Sequence, residues 1–338
     1  MTDRECIWLQ SVCKAGLNAK VEMLEKGDIA IPDCDQEKVD IIYKNCDKSE
    51  IDILTYNSPD YPSGLKCIFA PPYALYKKGF IPKSSSVAVI GTRNASQYGL
   101  KMAKKISSEL CAAGISIISL MTGGIDSAAV EAALEEGGSI IAVSAGPLEK
   151  VNEETARAIM QSGALISEYC PGTVPNKAYF RARNRIAAGI SRAVVAVEAP
   201  LKSGTFYFVE EALEQGKDIF AVPGNADSEN STGIIRLIRE GAVPIVSGAD
   251  LLEELGINSK PTIKKRIDKR ETPNYIDITE LQPNEAAIVK AVVEGCTSPD
   301  EISDHLGMSA SEVLTGLTML QIKGIIKKEA GGFKYEGK

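Results

Sequence analysis

Seven short apolar runs alternate with helix-like segments through the middle of this chain, and this alternation constrains the fold more than any other feature. Uncharged, β-branched runs of this kind are typical of strands that are buried on both faces of a parallel sheet. The runs are 87–90, 115–118, 140–143, 164–166, 193–197, 219–222 and 243–246. The pattern therefore predicts an α/β fold with a doubly wound, mostly parallel sheet, in a domain that covers residues 51–258.

The segments on either side of this region differ from it in composition. Residues 1–50 are acidic and typical of short helices, so we expect a small helical (SAM-like) module there. Residues 259–275 are predicted to be a basic linker, because 259–270 hold six Lys or Arg against one Asp, 6 − 1 = +5. A solvated tether is the simplest interpretation of this linker, and a loose phosphate-binding arm is the alternative.

The last segment, 276–338, has the pattern of a winged helix: three helices at 285–293, 299–306 and 310–322, then a two-stranded wing. Its second helix carries His305, the only histidine of the chain, which we interpret as a packing or helix-end residue. The third helix has no basic residue before Lys323, so it lacks the cations that grip a DNA groove. We expect this domain to contact protein or to regulate the chain.

Composition excludes several classes of function. With one histidine outside the α/β region, Ser-His-Asp, Cys-His and His-rich metal chemistry is disfavoured. The eight cysteines form no CxxC pair, which indicates reduced thiols of a cytoplasmic protein. No apolar run is long enough to span a bilayer, and the first residues lack a signal-peptide pattern. We expect no membrane association, no metal and no cofactor.

Three loops follow predicted strands and open helices, which is where open parallel sheets bind ligands. They are 91–99, 119–126 and 202–205, and they contain neither GxGxxG nor a Walker sequence. Helix capping alone explains one such loop, and Ser96 could serve as a cap or as a phosphate ligand. Three of them together favour an anion-binding rim, with these candidates: Gly91, Thr92, Gly123, Gly124, Gly204 and Thr205.

A cluster of arginines with one aromatic residue strengthens the expectation of an anionic ligand. Between 176 and 202 the chain has six Lys or Arg against one Glu, 6 − 1 = +5, although its net charge is −7. Phe180 offers a ring on which a base can stack. Arg181 and Arg185 share a helix face and Arg183 points away, so we expect one face to bind ligand and the other to brace the fold. The structural alternative is that these arginines pair with carboxylates of the same protein.

The motifs of this region resemble the DprA/Smf family of bacterial DNA-processing proteins. The similarity runs from 61 to 242, in the motifs GTRNAS-YG (91–99), GGID (123–126), ISEYCPGT (166–173), F-x-x-RNRI-x-x-GIS (180–191), VEA-x-x-KSGT (197–205), AVPG (221–224) and LIREGA (237–242). The chain departs from the family at 119–126, where Leu120, Thr122 and Gly123 replace its Gly, Ala and Arg. It also has Val130 for a common histidine and Ile235 for an asparagine.

The resemblance implies an extended Rossmann fold that binds single-stranded DNA without catalysis, forms a homodimer and loads RecA in natural transformation and DNA recombination. Together with the charge cluster, it makes ten residues candidates for DNA binding. They are Arg93, Ser96, Lys177, Phe180, Arg181, Arg183, Asn184, Arg185, Lys202 and Ser203. The departure at Gly123 puts an anion pocket at that loop in question.

Two other functions stay open at this point. The first is an enzyme or sensor for a nucleotide-derived small molecule, of the phosphoribohydrolase type, for which Gly204-Thr205 with Glu210 or Glu211 is a loose match with displaced spacing. The second is an interaction scaffold in which the winged helix carries the function.

Overall fold

The computed structural model describes residues 1–26, 29–257, 283–293, 296–322, 325–329 and 332–335. The chain divides into two compact units, Met1–Thr262 and Ile263–Lys338. The predicted linker at 259–275 lies outside the described residues.

One mixed sheet forms the centre of the first unit and contains nine strands within the described residues. The strands are β1 (Asp52–Thr55), β2 (Ala74–Gly79), β3 (Ser86–Ile90), β4 (Ser116–Ser119), β5 (Ile140–Ser144), β6 (Gly163–Ser167), β7 (Ala193–Ala196), β8 (Asp218–Ala221) and β9 (Val243–Pro244). Their order is β1-β2-β6-β5-β4-β3-β7-β8-β9. Strands β3 to β9 run parallel, which confirms the predicted doubly wound sheet. The antiparallel pair β1 and β2 was not predicted.

Helices cover both faces of this sheet. They are α1 (Asp3–Ile7), α2 (Leu17–Lys26), α3 (Asp33–Lys48), α4 (Gln97–Ala112), α5 (Ile125–Glu135), α6 (Glu153–Ser162), α7 (Tyr179–Ile190), α8 (Thr205–Glu214), α9 (Glu229–Arg239) and α10 (Gly248–Glu254). Short turns of other helix types lie at Trp8–Val12, Ser63–Cys67 and Leu148–Lys150. Strand β3 shows the layering: Val87 and Val89 join the apolar cluster on one face, and Ala88 and Ile90 join the cluster on the other.

The N-terminal helices are part of the first unit. Ile7, Leu9 and Ile42 lie in the same buried cluster as one face of the sheet. The Ser11 hydroxyl lies 2.6 Å from the Tyr76 hydroxyl on β2, which adds a polar contact between the two regions. The structure therefore corrects the expectation of a separate module at 1–50, because burial of these helices depends on the sheet.

The second unit has the predicted winged-helix elements: α11 (Pro283–Val293), α12 (Pro299–Leu306), α13 (Ala310–Ile322), β10 (Ile326–Glu329) and β11 (Gly332–Tyr335). The strands pair antiparallel as a wing. Ile288, Ile302, Val313 and Leu317 pack together in its core. Within the described residues, the surface side chains of α13 include Leu314 and Met319 and no Lys or Arg.

Candidate nucleic-acid interface

A cleft of about 470 Å³ opens at the carboxyl ends of the central strands. Strand β3 has β4 on one side and β7 on the other, so the loops that follow β3 and β7 diverge at this point. Such a topological switch point is the usual ligand position of a doubly wound sheet. The lining residues are Ile90, Gly91, Thr92, Arg93, Asn94, Leu120, Thr122, Phe180, Arg181, Arg183, Asn184, Pro200, Lys202, Ser203, Gly204, Thr205, Tyr207 and Phe208.

This cleft concentrates positive charge in an acidic protein. The described residues that line it include Arg93, Arg181, Arg183 and Lys202 and no Asp or Glu, so its formal charge is 4 − 0 = +4. The whole chain carries −7. A concave wall of one sign attracts counter-ions, here anions, and raises their local concentration.

The loop after β3 is shaped by the buried carboxylate of Glu198. Its Oε2 accepts a hydrogen bond from the Ser96 backbone N–H at 2.9 Å and another from Asn230 Nδ2 at 3.2 Å. The Ser96 hydroxyl donates to Oε1 of Glu198 and accepts the Gly99 N–H, so Ser96 is the N-cap of α4. Glu198 approaches so closely that a Cβ on Gly99 would lie 2.3 Å from its carboxylate. The structure thus corrects the expectation that Ser96 binds DNA, and it leaves Arg93 exposed at the cleft.

The loop after β4 contributes less to the cleft than expected. Leu120 and Thr122 line it, but Gly123 opens onto a separate cavity of about 390 Å³. Gly124 has φ +63°, and a Cβ there would lie 2.3 Å from the Thr92 carbonyl oxygen, so it allows close packing of the two loops. The prediction of Gly123 as an anion ligand is therefore corrected, since Gly123 lines the second cavity, and Gly124 packs the two loops together without lining the cleft.

The loop after β7 and the start of α8 form the opposite wall. Lys202 is exposed, and the hydroxyls of Ser203 and Thr205 lie 2.8 Å apart. Ser203 Oγ also accepts the Thr205 N–H at 3.2 Å at the beginning of α8. Gly204 separates them on the same wall. Hydroxyls and backbone N–H groups at a helix N-terminus are suited to a phosphate oxygen.

Helix α7 carries the arginine cluster, and its arginines have different environments. Arg181 is exposed, and its guanidinium lies 4.9 Å from the ring centre of Tyr207. Arg183 is buried at the cleft floor, where Nη1 donates to the Leu120 carbonyl and Nη2 donates to Asn184 Oδ1 at 3.1 Å. Burial lowers the pKa of Arg183 to about 10, which leaves it charged at neutral pH. Asn184 is buried beside it and is held as its acceptor.

Arg185 points to the other side of α7 and does not line the cleft. Its Nη1 and Nη2 donate to both oxygens of Glu168, and its Nε donates to the Ala70 carbonyl at 3.0 Å. The structure therefore corrects two expectations: Arg185 braces the fold instead of binding DNA, and the arginines group as Arg181 with Arg183 on the cleft side, not as Arg181 with Arg185. Neighbouring acceptors decide their roles, because Glu168 holds Arg185 while Leu120 draws Arg183 under the cleft. The DNA contact predicted for Lys177, an exposed residue before α7, stays a prediction.

Two aromatic side chains flank the cations. Phe180 is 47% exposed and Tyr207 is 53% exposed, and both line the cleft. The ring of Phe180 lies 5.5 Å from the guanidinium of Arg183. Sequence reasoning missed Tyr207 and Asn94; the position of Tyr207, in the first turn of a helix that follows a Ser/Gly/Thr loop, was the available signal. Half-exposed rings beside cations are suited to stacking of unpaired bases.

Three further features of the described residues concern the cysteines, the groups that could bind a metal and the length of the helices. All eight cysteines fall within these residues and are free thiols. A search of the same residues finds no group of His, Cys, Asp and Glu that could hold a metal ion. None of the described helices has the length and apolar character required to cross a bilayer.

Comparison with known proteins agrees with the resemblance seen in the motifs. Residues 52–256 match the family model described as DNA recombination-mediator protein A, and residues 277–332 match the DprA winged helix domain. Protein Smf of Synechocystis sp. is 32% identical over 312 residues, which cover 82% of this chain and 78% of that protein.

The solved structures that are similar to this chain include two DprA proteins. The X-ray structure of DprA from Streptococcus pneumoniae has a TM-score of 0.63 at 31% identity and covers 75% of this chain and 98% of that one. A DprA structure from Helicobacter pylori, described for its single-stranded DNA binding mode, has a TM-score of 0.53 at 27% identity and covers 61% of this chain and 95% of that one.

Proposed function

The chain belongs to the DprA/Smf family of DNA recombination-mediator proteins, and from this premise we propose that its cleft binds single-stranded DNA. The observation that carries the proposal is a cleft with four cations, two half-exposed rings and, among the described lining residues, no carboxylate. The cations neutralise phosphates, and the rings stack on bases. Stacking requires bases that are not paired, so the cleft favours single strands over duplex.

The test is the binding of a labelled oligo-dT, measured by fluorescence anisotropy over a series of salt concentrations. A variant with Arg93→Gln, Arg181→Gln and Lys202→Gln should bind more weakly and flatten the slope of log K against log salt by about 2, since each phosphate contact contributes about 0.7. Arg157→Gln is the control for loss of an exposed cation outside the cleft, because Arg157 is exposed and pairs with Glu153. Equal binding by the triple variant and the wild type would contradict the proposal.

We further propose that the protein acts on DNA without catalysis. A phosphoribohydrolase needs a carboxylate at the reacting sugar. Glu210 is exposed and is not a lining residue, and Glu211 lines the groove on the other side of α7. Incubation with nucleoside monophosphates should release no free base. Sustained turnover would favour the enzyme instead.

The family description, a recombination mediator, supports a second step in which the bound strand is passed to the recombinase RecA, as in natural transformation. The assay is RecA ATP hydrolysis on single strands already coated with a single-strand-binding protein. The wild-type chain should shorten the lag before hydrolysis, and the triple variant should not. An unchanged lag with the wild type would restrict the proposal to DNA binding.

We also propose that the protein works as a homodimer, as the family resemblance implies. Sedimentation equilibrium over a range of concentrations measures the oligomeric state directly. A mass of one chain at the highest concentration would contradict this part of the proposal.

The winged helix is proposed to contact protein, because the described surface of α13 offers Leu314 and Met319 but no Lys or Arg. Deletion of residues 271–338 should leave oligo-dT affinity intact. If affinity is lost on deletion, the winged helix carries the binding function and the cleft proposal fails.

A further inference from the structure

The loop that follows β4 is organised by one buried side chain, Asp126. Its carboxylate is 2% exposed and accepts three hydrogen bonds from the loop. Oδ1 accepts the Leu120 N–H at 2.9 Å, and Oδ2 accepts the Thr122 N–H at 2.9 Å and the Ser119 hydroxyl at 3.1 Å. Asp126 lines the second cavity and not the basic cleft, so it does not face the proposed DNA site.

These bonds hold the loop in a conformation that the chain does not adopt readily. Met121 has φ +54°, a value that costs free energy for a residue with a side chain. Gly123 and Gly124 also have positive φ. The hydrogen bonds to Asp126 on both sides of Met121 offset this cost. This loop conformation also sets the direction of the Leu120 carbonyl, which accepts a hydrogen bond from Arg183.

Arg183 depends on this loop for its place at the cleft floor. It is 5% exposed, and its Nε is buried without a hydrogen-bond partner among the described residues. Of the charged groups that act on it, Asp126 stabilises its charge and Arg93 opposes it. No direct ion pair joins Arg183 and Asp126 in the described structure, so Asp126 acts on Arg183 through the Leu120 backbone and by charge attraction in a buried environment of low dielectric.

We propose that Asp126 is a positioning residue for DNA binding: it holds the Leu120 carbonyl in place, and this carbonyl holds Arg183 under the cleft. The inference rests on the proposed function. It predicts an effect of unusual sign. If only charge mattered, removing the acidic Asp126 near an anion-binding cleft would increase the affinity for DNA. If Asp126 positions Arg183, the same change decreases the affinity for DNA.

The experiment measures oligo-dT binding by Asp126→Asn over the salt series. An amide nitrogen cannot accept a hydrogen bond, so the loop loses at least one of its anchors. We expect affinity to fall by about tenfold, the scale of one hydrogen bond to a charged group. We also expect Asp126→Asn to add nothing in an Arg183→Gln background, because both changes remove the same contact. The matched control is Glu210→Gln, an exposed acid on α8, which should bind equally well or more tightly.

A milder variant and a second readout keep the inference testable if Asp126→Asn folds poorly. Ser119→Ala removes one hydrogen bond to Asp126 and should weaken binding in the same direction by a smaller factor. By NMR, the buried Nε–H of Arg183, assigned from its loss in Arg183→Lys, should exchange slowly in the wild type and rapidly in the Asp126 and Ser119 variants. Unchanged or tighter DNA binding by a folded Asp126→Asn overturns the inference.

Failure of the proposed function and failure of the Asp126 inference give different results. A wild-type protein that does not bind oligo-dT contradicts the proposed function. The exchange rate of the Arg183 Nε–H then decides whether Asp126 positions Arg183: an unchanged rate in both variants overturns the inference, and a faster rate supports the positioning itself.

Discussion

The two sides of helix α7 use the same residue type for opposite purposes. On the cleft side, Arg181 and Arg183 line a wall that has no Asp or Glu among its described residues. On the other side, Arg185 lies in a groove lined by Glu168, Glu211 and Glu214. The arginines of α7 therefore do not act as one functional unit. The neighbouring acceptors decide which guanidinium stabilises the fold and which charges remain for a ligand.

The largest expected effect is on stability and tests the bracing side. Arg185→Ala removes the cationic partner of the Glu168 carboxylate, whose side chain is 9% exposed, and leaves it only the hydrogen bond from Gln10 Nε2 among the described contacts. Removing one member of a buried ion pair costs about 3–5 kcal/mol. Urea unfolding measures this loss. In the control, Arg181→Ala should change the free energy of unfolding by less than about 0.5 kcal/mol, as is usual for an exposed position. A stable Arg185→Ala protein that fails to bind DNA would show that Arg185 serves the ligand and does not brace the fold.

The next effect is on affinity and tests the rings of the cleft. Phe180→Ala and Tyr207→Ala should each weaken oligo-dT binding by about 1–3 kcal/mol, the range for one base stacked on an aromatic side chain. Tyr207→Phe keeps the ring and should bind like the wild type in fluorescence anisotropy. A loss with Tyr207→Phe as large as with alanine would mean that the hydroxyl, and not stacking, supplies the contact.

A smaller effect concerns the exposed cations. Lys202→Gln should reduce the steepness of the salt dependence by about 0.7, the contribution of one phosphate on a single strand. Lys202→Arg keeps the charge and should leave the slope unchanged. The measurement is oligo-dT affinity over the salt series, with Arg157→Gln as the control for net charge. A slope that Lys202→Gln does not change would place the DNA away from the loop after β7.

The smallest effect concerns the loop after β4. Gly123→Arg introduces the arginine that the family pattern has there, yet we expect no gain in oligo-dT affinity, because Gly123 faces the second cavity. Its φ of +87° should instead cost about 1–2 kcal/mol of stability in urea unfolding, as a side chain resists this conformation. A clear gain in affinity would show that the basic cleft extends to this loop.

Much of the fold follows from local sequence patterns, and the elements that were missed or wrongly assigned have physical explanations. The seven parallel strands and the winged-helix elements were predicted because each is a continuous apolar or amphipathic segment. Strands β1 and β2 were missed because Ala74–Gly79 has a short apolar stretch followed by two lysines. This segment is held as a strand by its hydrogen bonds to β6, a non-local pairing that its own sequence pattern does not reveal. The N-terminal helices were assigned to a separate module because composition does not show that Ile7 and Leu9 are buried against the sheet.

By itself, the sequence determined that positive charge and an aromatic ring would gather at the carboxyl ends of a parallel sheet, since the alternation of strands and helices along the chain and the composition of each loop are both local properties. It could not assign the arginines their roles. Arg185 meets Glu168, and Arg183 meets the carbonyl of Leu120, 63 residues away in the chain. Only the tertiary structure brings such partners together, and a guanidinium binds the acceptor that folding places within its reach.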